Sequence, residues 1–143
     1  RIAEGRDSGI KQPLTRSGHA IEFRIYAEDP VRFFPSPGQI TVWAPPSGEG
    51  IRVDSGVRAG YRVSHFYDPL LAKLVVHAGT RDAAIERAVN ALEAFHVEGV
   101  KNNLPTHLEA LRSEEFLTGR YDTGLLGLLA GRRRPAASEA SRV

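Results

Sequence analysis

Glu22, Arg24 and Tyr26 alternate with Ile21, Phe23 and Ile25 along one short run of the chain, the period of a β-strand with one greasy face. The opposite face then carries a carboxylate, a guanidinium and a phenol in a row. Arg24 is the centre of that row, and its planar fork suits oxyanions. A cation fixed on a rigid strand can stabilise negative charge that develops during a reaction. An ordinary solvated strand face looks the same, so the residue types alone leave both readings open.

Other candidates are weaker on chemistry alone. Tyr67-Asp68 precedes Pro69, and Asp-Pro is a turn cue that fits a solvent-facing Asx turn. Glu49 and Arg52 flank a short alternating run and, taken bare, form an exposed charged pair worth under about 1 kcal/mol. His19, His65, His77, His96 and His107 are scattered over different elements, without metal-ligand spacing, so no metal site is expected. Cys is absent, which removes disulfides, thiolate metal sites and thiol catalysis together. No GxxxxGK[ST] loop is present to cradle phosphates.

The elements that must position these residues read as strands first and helices second. A strand is expected over His19–Tyr26, closed by a turn at Ala27–Pro30 where Asp29-Pro30 blocks simple continuation. Phe33-Phe34-Pro35-Ser36-Pro37-Gly38 reads as a rigid loop with two apolar anchors. Gln39–Trp43 alternates as a further strand with Ile40 and Val42 on one face, and Ile51–Asp54 sets Ile51 and Val53 against Arg52 and Asp54. Leu70–Ala78 is almost continuously apolar, as in a strand buried on both faces, and its Lys73 is expected to pair its ammonium while burying its stem. A short helix has the same pattern there.

Helical periodicity begins after Gly79. Thr80 is a suitable N-cap and Asp82 lies in the first turn, with Ile85, Ala88, Val89, Leu92 and Phe95 forming one apolar stripe. Asn103 reads as the cap of a second helix, with Pro105 in its first turn and Leu104, Leu108 and Leu111 inward. A last apolar helix is expected within Tyr121–Ala130. The resulting class is α+β: an antiparallel half-barrel or sandwich-hybrid sheet followed by packing helices.

The chain of 143 residues fits one domain, and its 41% hydrophobic and 25% charged residues are those of a water-soluble fold. No apolar run approaches the roughly 20 residues of a membrane helix, so no membrane partner is expected and a cytoplasmic location is. The basic excess comes from Arg132, Arg133, Arg134 and Arg142, which leaves the body near neutral. Residues 131–143 are expected to be a disordered tail. Nucleic acid is not an expected partner, because no basic patch with interleaved aromatics occurs in the body.

Three motifs in order, GHAIEFRIYAEDP (Gly18–Pro30), FPSPGQI (Phe34–Ile40) and YDPLLAK (Tyr67–Lys73), resemble the C-terminal domain of biotin carboxylase, the biotin-carboxylating component of acetyl-CoA, propionyl-CoA and pyruvate carboxylases. The similarity runs from Arg1 to Leu129. It implies a linker at 1–17 leaving a preceding ATP-binding domain, then the C-terminal domain over 18–130. It also implies that Arg24 faces the reaction centre, where it meets the ureido oxygen of biotin and the bicarbonate. The urea nitrogen becomes nucleophilic only as that oxygen gathers charge, which is work for a preorganised guanidinium. Tyr67 and Asp68 then border the biotin site, with Asp68 orienting Arg24, while Glu49 and Arg52 lie near a two-fold dimer contact.

The family's bicarbonate-activating run ExNxRxQVEHP, its Gly-rich ATP lid and its magnesium-holding carboxylates have no counterpart among these residues. ATP and magnesium are thus expected only through the ATP-binding domain of the parent protein, and the chain alone is expected to be inactive. Met is absent too. The chain therefore has no initiator and is expected to be a piece of something longer. It also cannot hold the Met-Lys-Met segment that bears biotin, which leaves biotin to a separate carrier domain. The bacterial acyl-CoA type of carboxylase is expected rather than the pyruvate type. The rival from another class is a non-catalytic docking or dimerisation module on the same fold.

Overall fold

The computed structural model describes residues 1–10 and 13–133. After a single 3-10 turn at Ile2–Glu4, the strands are β1 (His19–Tyr26), β2 (Gly38–Gln39), β3 (Val42–Ala44), β4 (Ile51–Ser55), β5 (Arg62–Val63), β6 (Leu70–Ala78) and β7 (His96–Glu98). The helices are α1 (Arg81–Ala94), α2 (Leu104–Arg112), α3 (Glu114–Thr118) and α4 (Leu125–Arg133). Every strand pairing is antiparallel: a three-stranded sheet in the order β1-β6-β4, and the two-stranded pairs β2-β5 and β3-β7. The α+β class therefore stands as read.

The main core lies between the β1-β6-β4 sheet and the helices. Phe23, Ile25, Leu74 and Val76 face Ile85, Ala88, Ala91 and Leu92 of α1, with Leu104 and Leu111 of α2 closing the end. The Thr80 hydroxyl accepts the Ala83 N–H at 3.2 Å and caps α1, so the sequence reading of that helix start holds. The alternation in β1 survives unchanged, with Phe23 and Ile25 buried and Glu22 and Arg24 exposed.

Several expectations change. Gln39–Trp43 is not one strand. The Ile40 N–H donates to Tyr61 while the next N–H, that of Thr41, donates to Glu98, so the chain changes partners between them. Ile40 is fully buried in a second core with Ala27, Val63 and Leu71, whereas Val42 is exposed. Nor is Leu70–Ala78 a strand buried on both faces: Val75 and Lys73 are only half-buried and His77 is exposed, because α1 and α2 cover one side of the sheet only. Lys73 does find its partner, Glu22, at 3.8 Å.

The Phe33-Phe34 loop is not apolar anchoring, since Phe34 is 68% exposed. It is held by polar contacts instead: the Asp29 carboxylate accepts the Val31 and Arg32 N–H groups at 2.9 Å each and takes the Lys101 ammonium at 2.5 Å. The last helix continues through Arg133, so 131–133 lie in α4 rather than in a tail; Arg132 pairs with Glu115 and Arg133 with Glu109. The remainder of the expected tail, 134–143, lies outside the described residues.

Candidate functional site

The sheet has one face against the helices and one facing outward. On the outward face the register sets Arg24 opposite Lys73, and Lys73 opposite Asp54. The neighbouring row sets Glu22 opposite Val75, and Val75 opposite Arg52. Three cations and two carboxylates thus share one small surface. Glu22 goes to Lys73 at 3.8 Å and Asp54 to Arg52 at 3.2 Å. Both pairs are solvent-exposed and contribute little to stability. They engage Glu22 and Asp54, the two carboxylates that share this face with Arg24. Among the described residues no carboxylate pairs with the Arg24 guanidinium.

What lies under Arg24 is the Tyr26 ring, 5.2 Å from the guanidinium carbon. The Tyr26 phenol has its pKa raised, first by burial and then by the Asp68 carboxylate, while Arg24 acts in the opposite direction. Arg24, Tyr26 and Asp68 therefore form one electrostatic neighbourhood. Asp68 does not pair directly with Arg24. Its Oδ1 accepts the Leu70 N–H at 2.8 Å, the Asx turn that Asp-Pro suggests. Tyr67 is 81% exposed and makes no side-chain hydrogen bond within the described residues. Arg52 takes Asp54 rather than Glu49, since the two lie on the same face of β4; Glu49 sits in the turn before that strand.

Sequence reasoning missed Asn103 and His107. The Asn103 side chain makes no cap hydrogen bond to its own helix. Its Oδ1 accepts the Tyr26 N–H at 2.9 Å and its Nδ2 donates to the Arg24 carbonyl at 3.1 Å. His107 brings Nε2 to 3.0 Å from that same carbonyl, with its ring edge-on to Phe23. The pKa of His107 is lowered, burial being the cause, with the Arg24 carbonyl pulling the other way. Asn-to-strand contacts across this much sequence have no local signal; only the helical spacing of Asn103 and His107, which puts both on one side of α2, was there to be read.

The surface around Arg24 is open. A cleft of about 450 Å³ opens between Pro46-Ser47 and the α1 side chains Glu86, Arg87 and Asn90, and its lining contains none of the site residues.

Residues 22–127 match the family described as the biotin carboxylase C-terminal domain. The chain belongs to that family. It is 49% identical over 126 residues to a biotin carboxylase of Halalkalibacterium halodurans, an alignment covering 87% of this chain and 28% of that protein. It is 42% identical over 125 residues to one of the pyruvate carboxylase subunits of Methanothermobacter thermautotrophicus, covering 86% of this chain and 26% of the relative. In structure it superposes with a TM-score of 0.82 on a Campylobacter jejuni biotin carboxylase solved as a complex named for β-γ-ATP, at 37% identity, covering 89% of this chain and 28% of the other. The chain spans less than a third of the length of these relatives.

Proposed function

We propose that this chain supplies the biotin- and bicarbonate-facing wall of an ATP-dependent biotin carboxylase, with Arg24 meeting the negative charge that develops there. The observation that supports it is the state of Arg24: main chain fixed, side chain exposed, and no carboxylate partner among the described residues. A guanidinium in that state has its planar N–H fork available for an oxyanion. The urea oxygen of biotin and the oxygens of bicarbonate fit such a fork. Biotin, when bound, supplies the ring nitrogen that is carboxylated. Arg24 donates N–H groups to the oxygen on which charge accumulates, an interaction stronger in the transition state than in the ground state.

Among the described residues no group of three His, Asp or Glu side chains could hold magnesium, and the sequence has no GxxxxGK[ST] loop for the phosphates of ATP. Both would be held by other sequence of the parent protein, and no step is derived through them. The partners of this reading are that ATP-binding region, a biotinylated carrier domain, and a second copy of the parent in contact near Glu49 and Arg52. Tyr67 and Asp68 border the biotin side. An acyl-CoA carboxylase is the host we favour over a pyruvate carboxylase. No helix among the described residues is long and apolar enough to cross a membrane.

The exposed pair Phe66 and Tyr67, at 78% and 81%, favours the second reading, a docking module without a part in chemistry. The complete parent protein separates the two when assayed for transfer of radiolabelled bicarbonate to free biotin. Label transfer that requires magnesium-ATP is the expected result, and acyl-CoA against pyruvate as final acceptor identifies the host. A parent protein that binds its partners but transfers no label would overturn the carboxylase reading and leave the docking module.

A further inference from the structure

β1 is the edge strand of its sheet, so one side of its backbone lacks a ladder partner and must be satisfied elsewhere. At Arg24 and Tyr26 the partner is the start of α2 rather than another strand. The Asn103 carboxamide accepts from the Tyr26 N–H at 2.9 Å and donates to the Arg24 carbonyl at 3.1 Å, while its own N–H donates to the Tyr26 carbonyl at 3.3 Å. Asn103 is 7% exposed, so these bonds are protected from water. One helical turn on, His107 meets the Arg24 carbonyl with Nε2 at 3.0 Å. A carbonyl oxygen has two lone pairs, and here each has a donor. His107 is accordingly the Nε2–H tautomer.

The place of this clamp is specific. The register between β1 and β6 breaks between Ile25 and Tyr26, one residue beyond Arg24. Such a break bends the strand and leaves the local ladder short of bonds. The clamp restores them on the opposite edge at that point. Because the Arg24 side chain has no hydrogen bond of its own within the described residues, its aim depends on where its backbone is held.

We propose that Asn103 and His107 are positioning residues that set the Arg24 guanidinium for catalysis through its main-chain carbonyl. This rests on the carboxylase reading of Arg24. The alternatives to Asn and His fail on chemistry: Asp in place of Asn103 keeps the shape and the acceptor but loses the donor, and Leu in place of His107 keeps bulk against Phe23 but loses the N–H. Gln at 107 can carry its amide N–H to nearly the same point.

The test is a cycle in the complete parent enzyme, with kcat and KM for ATP and free biotin measured for His107→Leu, His107→Gln and Arg24→Ala and for the double variant. Misplacing a catalytic group by a fraction of an ångström is costly. His107→Leu should therefore lower kcat by about ten-fold with KM for ATP unchanged. His107→Gln should recover most of that loss. In the Arg24→Ala background, His107→Leu should cost nothing further. If its ten-fold loss persists in that background, the clamp does not act through Arg24 and this inference falls while the carboxylase reading stands. If Arg24→Ala itself leaves kcat unchanged, the carboxylase reading of Arg24 falls instead. Should His107→Leu not fold, Asn103→Asp goes through the same cycle with the same two outcomes.

Discussion

Arg24 and Asp29 stand in one continuous motif, and they use their polar groups in opposite ways. Asp29 commits its side chain: the carboxylate accepts from the Val31 N–H, the Arg32 N–H and the Lys101 ammonium, and these bonds hold its pKa well below the usual carboxylate range, the Lys101 bond first. Arg24 commits its backbone, with Asn103 and His107 on its carbonyl, and keeps its side chain on the open face. A charged side chain whose bonding capacity is used inside the fold can shape the chain but has little left for a ligand. One that is fixed at its root and open at its tip is preorganised for an anion. Proximity in sequence, or membership of one motif, does not distinguish the two; the count of internal bonds does.

The largest expected effect would come at Arg24. In the complete enzyme Arg24→Ala should lower biotin carboxylation by about two to three powers of ten, the usual loss for one such donor. Arg24→Lys should recover only part, since a point charge replaces a planar fork. The urea midpoint should move little for either, because the side chain lies on the exposed face. Unchanged carboxylation by the Ala variant at saturating biotin would erase the contrast with Asp29.

The opposite profile is expected from Gly99, which has φ +92° and whose added Cβ would overlap the Gln39 carbonyl. Gly99 lets the chain pass close under β2 before it delivers Lys101 to Asp29. Gly99→Ala should cost about 2 to 3 kcal/mol in urea denaturation, as strain at such a φ does. Activity per folded molecule should change far less than for Arg24→Ala. A stable Gly99→Ala protein would mean the Asp29 corner tolerates what its geometry forbids.

Asp29 itself gives a pH signature. A carboxylate whose folded pKa is depressed stabilises the fold above its unfolded value of about 4, and that contribution fades as pH falls toward the lower folded value. Asp29→Asn should therefore lower the urea midpoint at neutral pH. Its deficit should shrink steadily as the pH is taken below about 4. A deficit that stays constant down to pH 3 would show that the carboxylate's charge is not what holds the corner.

The sequence pattern carried β1, β6 and the start of α1, because each depends on local alternation or a local cap. It carried the exposed face of Arg24 for the same reason. It could not carry the change of partners between Ile40 and Thr41, which is decided by Tyr61 and Glu98, nor the open outer side of β6, which is decided by where the helices lie. Asn103 is the instructive case: read locally it is a helix cap, but its carboxamide is taken by a strand far back in the chain. The clamp and the availability of Arg24 are both properties of the assembled sheet.

The smallest effect expected is at Tyr26, and it sharpens what fixes Arg24. Two things bear on the guanidinium: the clamped backbone at its root and the Tyr26 ring beneath it at 5.2 Å. A cation over an aromatic face at an exposed site gains about 0.5 to 1 kcal/mol. Tyr26→Leu removes the ring and should lower kcat by about two- to five-fold, the rate equivalent of that energy. Tyr26→Phe keeps the ring face and should leave kcat near the parent value. It also removes the phenol, whose pKa is raised by burial and by Asp68, so any change in the alkaline limb of the pH–rate profile between Tyr26→Phe and the parent isolates the hydroxyl. The clamp makes a further demand. His107→Leu should cost more than Tyr26→Leu, because displacing the root moves the whole side chain while losing the ring frees only its tip. The reverse order in kcat would place the control of Arg24 in the ring and not in its carbonyl.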